Sequence, residues 1–208
     1  MHKKNTSVHN KRLLILGFSF IPSLLTGCVG GEFYGISAWN PYTRQQWSED
    51  ERMGPTYHSR MAEIRAIERS VSSLDFGQQD RMVVHMTQLI RDDENPLVRA
   101  AGVRVLGEIA SPASLAAIQG AAVDRDPLVR MAASEAFGRR GDFEAAAGLS
   151  ILAADDENAE VRLTAVTALG NCPEQQVVQA LALALDDSNP AIQNRAVQSL
   201  KATTGHQL

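Results

Sequence analysis

The sequence predicts an all-α protein of about nine helices, preceded by an N-terminal segment of a different kind. Two observations support the helical part: a short motif recurs through the second half of the chain, and apolar residues within each copy follow helical spacing. A third observation, an apolar run that ends in a cysteine near the N-terminus, indicates a targeting segment. The chain is therefore divided into a leader, a connecting segment and a repeat domain.

The repeat is defined by four segments that begin with an aspartate. Their first residues are Asp93, Asp124, Asp156 and Asp187, and their aliphatic position falls at residues 98, 129, 161 and 192, at intervals of 31, 32 and 31. In every segment Asn or Asp stands at a preferred helix N-cap position, and in three of them Pro follows at the first helical position, where its missing N–H costs nothing. Each segment therefore predicts the start of a helix.

Each copy continues with the apolar pattern of one buried helix face. In the first copy this pattern consists of Val98, Ala101, Gly102, Val105 and Leu106. A glycine follows in three copies, and we expect Gly107, Gly138 and Gly170 to end their helices in the left-handed C′ conformation. A second amphipathic run comes next, over residues 112–123, 143–154 and 173–185. Each unit is thus predicted to contain two antiparallel helices.

With its Asp-x-Asn-Pro-x-Val-Arg…Leu-Gly signature, the chain resembles the HEAT-repeat family, specifically the short HEAT-like repeats also found in phycobilisome lyases. The resemblance covers residues 93–203 and implies a right-handed α-solenoid of helix pairs, with repeats from about residues 93, 124, 156 and 187. Residues 58–91 are predicted to form a degenerate first helix pair that caps the solenoid. The predicted solenoid extends over residues 58–203, and residues 204–208 form a tail. Such repeats serve many roles, so the resemblance alone assigns no function.

The N-terminal segment has the layout of an export signal. Residues 1–12 carry four basic and no acidic side chains, and residues 13–25 are mostly apolar. This run is shorter than the roughly 20 residues of a membrane span, so a cleaved signal is favoured over a permanent transmembrane helix. It ends in Leu25, Thr26, Gly27 and Cys28, which resemble the lipobox of bacterial lipoproteins.

That resemblance implies that residues 1–27 are a lipoprotein signal peptide and that Cys28 carries the lipid as the first residue of the mature protein. A cysteine placed there by chance is the alternative. Two or more acyl chains anchor a protein stably, so we expect the mature protein to be bound to a membrane. Apart from the covalent lipid, no cofactor is expected. In that family an Asp after the cysteine disfavours outer-membrane export. Val29 follows here, which favours the periplasmic face of the outer membrane over the inner membrane.

Charge and cysteine content narrow the possibilities further. Removal of residues 1–27 leaves 16 Lys and Arg against 24 Asp and Glu, a formal charge of −8. Binding of nucleic acid needs a clustered basic surface, and no basic run follows Arg12, so no nucleic-acid partner is expected. Cys172 then has no cysteine partner within the chain, and we expect it to be a small buried apolar residue, with a reactive thiol or an intermolecular disulfide as the alternatives.

The connecting segment, residues 28–57, lacks periodicity but contains six of the nine aromatic residues that follow residue 27. Flexible linkers are normally poor in aromatic residues. We therefore expect Trp39, Tyr42 and Trp47 to pack, either over the first helices as part of the cap or against a membrane interface or partner.

No catalytic or metal site is predicted. His58 and His85 are expected on neighbouring antiparallel helices, displaced by about two turns, and His206 at the opposite end of the solenoid. These histidines lack the spacing of metal ligands and have no nucleophile nearby. The acidic clusters at 92–95 and 155–158 lack the Gly and Glu of a calcium loop and are expected to cap helices.

A recurring pair of opposite charges is the remaining motif. Arg99, Arg130 and Arg162 stand in register with Asp93, Asp124 and Asp156. This register predicts a stacked Arg/Asp ladder between neighbouring repeats, with a ligand-binding stripe as the alternative.

Together these features favour a membrane-anchored, non-enzymatic scaffold or adaptor that binds an unidentified protein on the periplasmic side of the cell envelope. One alternative is a lyase-like protein that binds a tetrapyrrole, although the phycobilisome lyases act on cytoplasmic proteins, which a lipid anchor argues against. The other alternative is a permanent structural component of envelope assembly.

Overall fold

The computed structural model describes residues 54–205, without the side chains of residues 174–176. The described residues form nine α-helices and one short 3-10 helix, Val71–Ser73, and no strand. The α-helices are α1 (Tyr57–Ser70), α2 (Phe76–Asp92), α3 (Pro96–Gly107), α4 (Pro112–Ala121), α5 (Pro127–Arg140), α6 (Phe143–Asp155), α7 (Ala159–Leu169), α8 (Glu174–Ala184) and α9 (Pro190–Thr204). The predicted all-α solenoid of about nine helices is confirmed. The lipobox, Cys28, Trp39, Tyr42, Trp47 and His206 lie outside the described residues.

Helix starts follow the capping residues of the repeat. The side chains of Asn95, Asp126, Asn158 and Asn189 each accept a hydrogen bond, 2.9 Å long, from the backbone N–H two residues further on. The upstream pair begins differently, since Thr56 caps α1 and Asp75 caps α2 in a capping box with Gln78. Each cap satisfies N–H groups that a helix leaves without intrahelical partners.

The helices are arranged in two rows around a buried core. The first-helix row contains α1, α3, α5, α7 and α9, which pack side by side, and the second-helix row contains α2, α4, α6 and α8. The repeat positions Val98, Val129, Val161 and Ile192 are fully buried, as are Leu106, Phe137 and Leu169. The second-helix row is less continuous, because α4 and α6 hardly touch one another.

The prediction that Gly107, Gly138 and Gly170 adopt the left-handed conformation is wrong. Among the described glycines, positive φ occurs at Gly54, Gly141 and Gly205, and Gly141 rather than Gly138 ends α5. The repeat glycines instead permit close approach of the next first helix. A Cβ on Gly138 would lie 2.8 Å from the Cβ of Ala168, and one on Gly107 would lie 3.0 Å from the Cβ of Ala136. These glycines are packing residues of the first-helix row.

Candidate interaction surface

An Arg/Asp ladder runs along the edge of the solenoid where the first helices begin. Arg99 donates through Nε and Nη2 to both carboxylate oxygens of Asp124, at 2.9 and 2.7 Å. Arg130 binds Asp156 in the same way, at 2.7 and 2.9 Å, and Arg162 binds Asp187, at 2.8 and 3.2 Å. Each arginine is therefore paired with the aspartate of the following repeat rather than with that of its own.

The third guanidinium nitrogen of each arginine reaches back to its own repeat. The Nη1 atoms of Arg99, Arg130 and Arg162 donate to the backbone carbonyls of Asp93, Asp124 and Asp156, at 3.1, 2.9 and 2.9 Å. With no more than 14% of each arginine side chain exposed, the three guanidinium groups are fully engaged in holding repeats together. This geometry leaves no free charge for a ligand-binding stripe.

The ladder extends beyond the residues that the sequence indicated, at both ends. Arg60 of α1 pairs with Asp93, so the degenerate first pair is joined to the first full repeat. In the last unit Gln193 takes the arginine position and donates to the carbonyl of Asp187 at 2.7 Å. Asp187 is the first residue of the fourth repeat segment and can be recognised from the sequence. Arg60 lies in a helix without the repeat motif, so its pairing with Asp93 can be recognised only from the fold.

The ladder makes the stability of the fold depend on pH. Burial alone would raise the pKa values of Asp124 and Asp156, but hydrogen bonds from the paired arginine and from the backbone N–H two residues on lower both pKa values below the ordinary 3.8. For Asp187 the hydrogen bond from Arg162 is the largest cause of the lowered pKa. The folded state therefore binds protons less readily than the unfolded chain at these three sites.

We expect the free energy of unfolding to fall as the pH drops below the ordinary aspartate pKa of 3.8. A carboxylate with a lowered pKa contributes its full stabilisation above the unfolded-state value and loses it as the pH falls through the folded-state value. Urea unfolding followed by circular dichroism between about pH 5 and pH 2 measures this loss. An Asp156→Asn variant should show a shallower decline, and equal slopes in the two proteins would contradict the role of Asp156.

Cys172 lies in the core and not at a reactive surface. Only 4% of the residue is exposed, and its Sγ lies 3.9 Å from the carbonyl oxygen of Ala168. Burial, together with the negative charge of Asp142, raises the pKa of the thiol. In a Cys28→Ser variant, where Cys172 is the remaining cysteine, we expect a thiol reagent such as DTNB to react slowly with the folded protein and completely in urea. Rapid labelling under native conditions would contradict the burial.

The described residues contain no group of three or more His, Cys, Asp or Glu side chains placed to hold a metal ion. His58 is the second residue of α1, with its ring centroid 5.5 Å from that of Tyr57, and His85 lies exposed in the middle of α2. None of the helices described here is both long enough and apolar enough to cross a membrane.

The second-helix row and the turn that follows α4 expose large apolar side chains. Val123, Leu183, Val84, Phe143 and Ile151 are exposed to 83, 69, 68, 65 and 63%. Contiguous apolar surface of this kind marks interaction sites in soluble domains, whereas single exposed residues need no explanation. Three of these residues, Val123, Phe143 and Ile151, line the same depression.

This depression, which we call the central groove, lies between α4 and α6 and has a volume of about 360 Å³. Ala122 and Val123 line it at the end of α4, and Phe143 and Ile151 line it on α6. Its floor is the ring of Phe137 from α5, which is completely buried. A Cβ on Gly148 would lie 2.8 Å from that ring, so the glycine allows α6 to rest directly on Phe137.

The central groove was not identified from the sequence, although α6 contains a signal for it. The buried face of α6 comprises Ala145, Ala146, Leu149, Leu152 and Ala153, as an amphipathic helix requires. However, the opposite face is also largely apolar, with Phe143, Ala147 and Ile151 at every fourth position. A helix that is apolar on its solvent-exposed face as well as on its buried face has apolar surface that a binding partner could cover.

Residues 83–157 and 146–207 match the model of the protein family described as HEAT repeats. These two stretches together account for more than half of the chain and include the central groove and the ladder from Asp93 onwards, but not Arg60. No curated protein matches the chain.

Proposed function

This chain belongs to the HEAT-repeat family, and from that premise we propose that it is a membrane-anchored, non-enzymatic scaffold or adaptor on the periplasmic side of the cell envelope. The fold typically serves as a scaffold for protein interactions, in which stacked helix pairs present an extended surface. The observation that supports a binding role here is the central groove, where Phe143, Ile151 and Val123 are exposed beside one another on an otherwise well-packed solenoid.

The ladder supports the same role from the structural side. Association with a partner loses less conformational entropy when the binding surface is already rigid in the free protein. Bidentate pairs such as Arg99 with Asp124 and Arg130 with Asp156 hold successive repeats in fixed relation. The repeats on either side of the central groove are joined in this way, so the groove is preformed.

The proposed location depends on the N-terminal motif. Leu25, Thr26, Gly27 and Cys28 match the lipobox pattern, and a lipidated Cys28 would hold the solenoid at a membrane surface, at the periplasmic face of the outer membrane by our proposal. The acidic composition fits a protein partner and not nucleic acid. Apart from the lipid, the proposed function requires no cofactor.

The binding role can be tested by site-specific photo-crosslinking in cells. A photoreactive amino acid at position 151 would sit in the central groove, and the same group at position 135 would be exposed on the first-helix row. We expect a discrete adduct from position 151 and none from position 135. A stoichiometric adduct would favour a structural component, whereas substoichiometric capture would favour an adaptor. Equal adducts from both positions, or none from either, would contradict the proposal.

The anchor is tested separately by growth with labelled fatty acid. We expect the label in the native chain and its loss in a Cys28→Ser variant, together with release of the protein from the membrane fraction. A Cys172→Ser variant is the matched control, because it removes the other cysteine of the chain and should keep the label. Label retained in the Cys28→Ser protein would refute lipidation at this residue.

A further inference from the structure

We propose that the central groove binds a cationic amphipathic segment of the partner protein, whose apolar side chains enter the groove while its lysine or arginine side chains pair with carboxylates at the two ends. This inference rests on the proposed scaffold function and specifies the chemistry of the partner at the same surface.

The apolar walls account for the apolar part of the partner. Phe143, Ala147 and Ile151 form an exposed row along α6, opposite Val123 at the end of α4. Because the floor is already filled by Phe137, the groove is shallow and open, which suits side chains projecting from a segment that lies along it. Covering such surface contributes about 25 cal/mol per Å² of apolar area removed from water.

The ends of the groove account for the charge of the partner. Glu144 lines the end beside Phe143. At the other end the groove continues into a second cavity of about 350 Å³, which shares Ala122, Val123, Ile151 and Leu152 with the first and is lined by Asp155, Asp156 and Glu157. Among the described residues that line the two cavities, Arg130 is the one cation, and its guanidinium is neutralised by Asp156.

Two of these carboxylates are available to a partner. Glu144 and Asp155 are exposed and form no ion pair with any cation of the described chain. Glu157 is 89% exposed and lies 3.8 Å from Arg130, which makes at most a weak pair. An apolar groove with unpaired negative charge at both ends is complementary to a segment with an apolar centre and positive flanks.

The spacing of the charges limits the shape of that segment. Glu144 and Asp155 are separated by eleven positions on one helix, which corresponds to a rise of about 16 Å. A helical segment lying along α6 would match this distance with two basic residues eleven positions apart and apolar residues on the same face between them.

The same charges argue against a second copy of this chain as the occupant. A closed two-fold pairing brings the same surface of both copies together. The carboxylates around one central groove would then face those around the other, and like charges across an interface are unfavourable. A membrane with anionic lipids would be repelled for the same reason.

The test uses the purified full chain and two labelled peptides of about 18 residues, or five helical turns. One peptide carries leucines on one helical face, flanked by lysines with eleven-residue spacing, and the other has glutamate in place of each lysine. By fluorescence anisotropy we expect saturable one-to-one binding of the cationic peptide, weakened by added salt, and no binding of the anionic peptide. Absence of saturable binding by the cationic peptide would overturn the proposal.

Two double variants with the same change in net charge distinguish binding at the central groove from non-specific electrostatic attraction to the acidic protein. Glu144→Lys with Asp155→Lys reverses the charge at the groove ends, and we expect at least tenfold weaker binding. Asp80→Lys with Glu160→Lys reverses exposed carboxylates elsewhere, and we expect less than a threefold change. Equal weakening in both variants would show that only net charge matters, and would overturn assignment of the site to the groove.

Failure of this inference can be distinguished from failure of the proposed function. A partner crosslinked from position 151, combined with no binding of the cationic peptide, would leave the scaffold function standing and refute the partner's chemistry. Concentration-dependent dimers in sedimentation experiments that are lost in an Ile151→Asp variant would identify a second copy as the occupant and overturn the inference. Binding to anionic lipid vesicles that is lost in the same variant would overturn it in favour of a membrane surface.

Discussion

An Arg130→Met variant is expected to lose about 3–5 kcal/mol of the free energy of unfolding. Arg130 makes two hydrogen bonds to Asp156, at 2.7 and 2.9 Å, and a third to the carbonyl of Asp124. The side chain of Asp156 is only 4% exposed, so its negative charge would remain buried without its cation. Removing one partner of a buried pair costs more than the pair itself contributes, because the other charge cannot regain its hydration.

The matched control for this variant is Arg104→Met. Arg104 also bridges neighbouring repeats, through Glu135 at 3.3 Å, but both side chains are about 40% exposed. Exposed pairs contribute about 0–1 kcal/mol, so this substitution should change stability little. Urea unfolding followed by circular dichroism compares the two. Similar losses in both variants would contradict the structural role of the ladder.

Phe137→Ala is expected to cost about 3–5 kcal/mol of unfolding free energy. Its ring is fully buried between α5 and α6, with the backbone of Gly148 directly above it. Removal of the ring would leave a cavity that close-packed helices cannot fill without moving, so the transfer energy and the cavity energy are both lost. The same change would remove the floor of the central groove.

Phe143→Ala provides the matched comparison, since the same side chain is deleted from an exposed position. Phe143 is 65% exposed, and we expect its removal to change stability by no more than about 0.5 kcal/mol. It should, however, weaken binding of the cationic peptide, because Phe143 lines the central groove. A destabilisation of Phe143→Ala close to that of Phe137→Ala would show that the two rings have similar environments, contrary to the structure.

Features that depend on local sequence could be predicted well. The starts of α3, α5, α7 and α9 follow from Asn or Asp at the N-cap, because the capping hydrogen bond joins residues only two positions apart. The last helix extends one residue beyond the predicted end, to Thr204, where Gly205 ends it in the left-handed conformation. The buried face of each helix is likewise visible in a short window, and comparison of the four segments gives the period of the repeat.

Features that depend on the neighbouring repeat could not be predicted in the same way. Gly138 looks like a helix terminator from its position after an apolar run, yet it lies inside α5. Its lack of a side chain serves packing, because Ala168 of the next repeat occupies the space that a side chain would need. Arg60 belongs to a helix without the repeat motif, and only the stacking of α1 on α3 brings it to Asp93.

The sequence by itself determined that this protein is an all-α repeat solenoid with capped helices and a recurring pair of opposite charges, because these properties depend on hydrogen bonds and periodicity within single helices. The tertiary structure decided which repeat each arginine binds, why the glycines recur, and that Phe143 and Ile151 face an open groove rather than the core. These outcomes depend on the distance between helices about thirty residues apart in the chain, which no local pattern specifies.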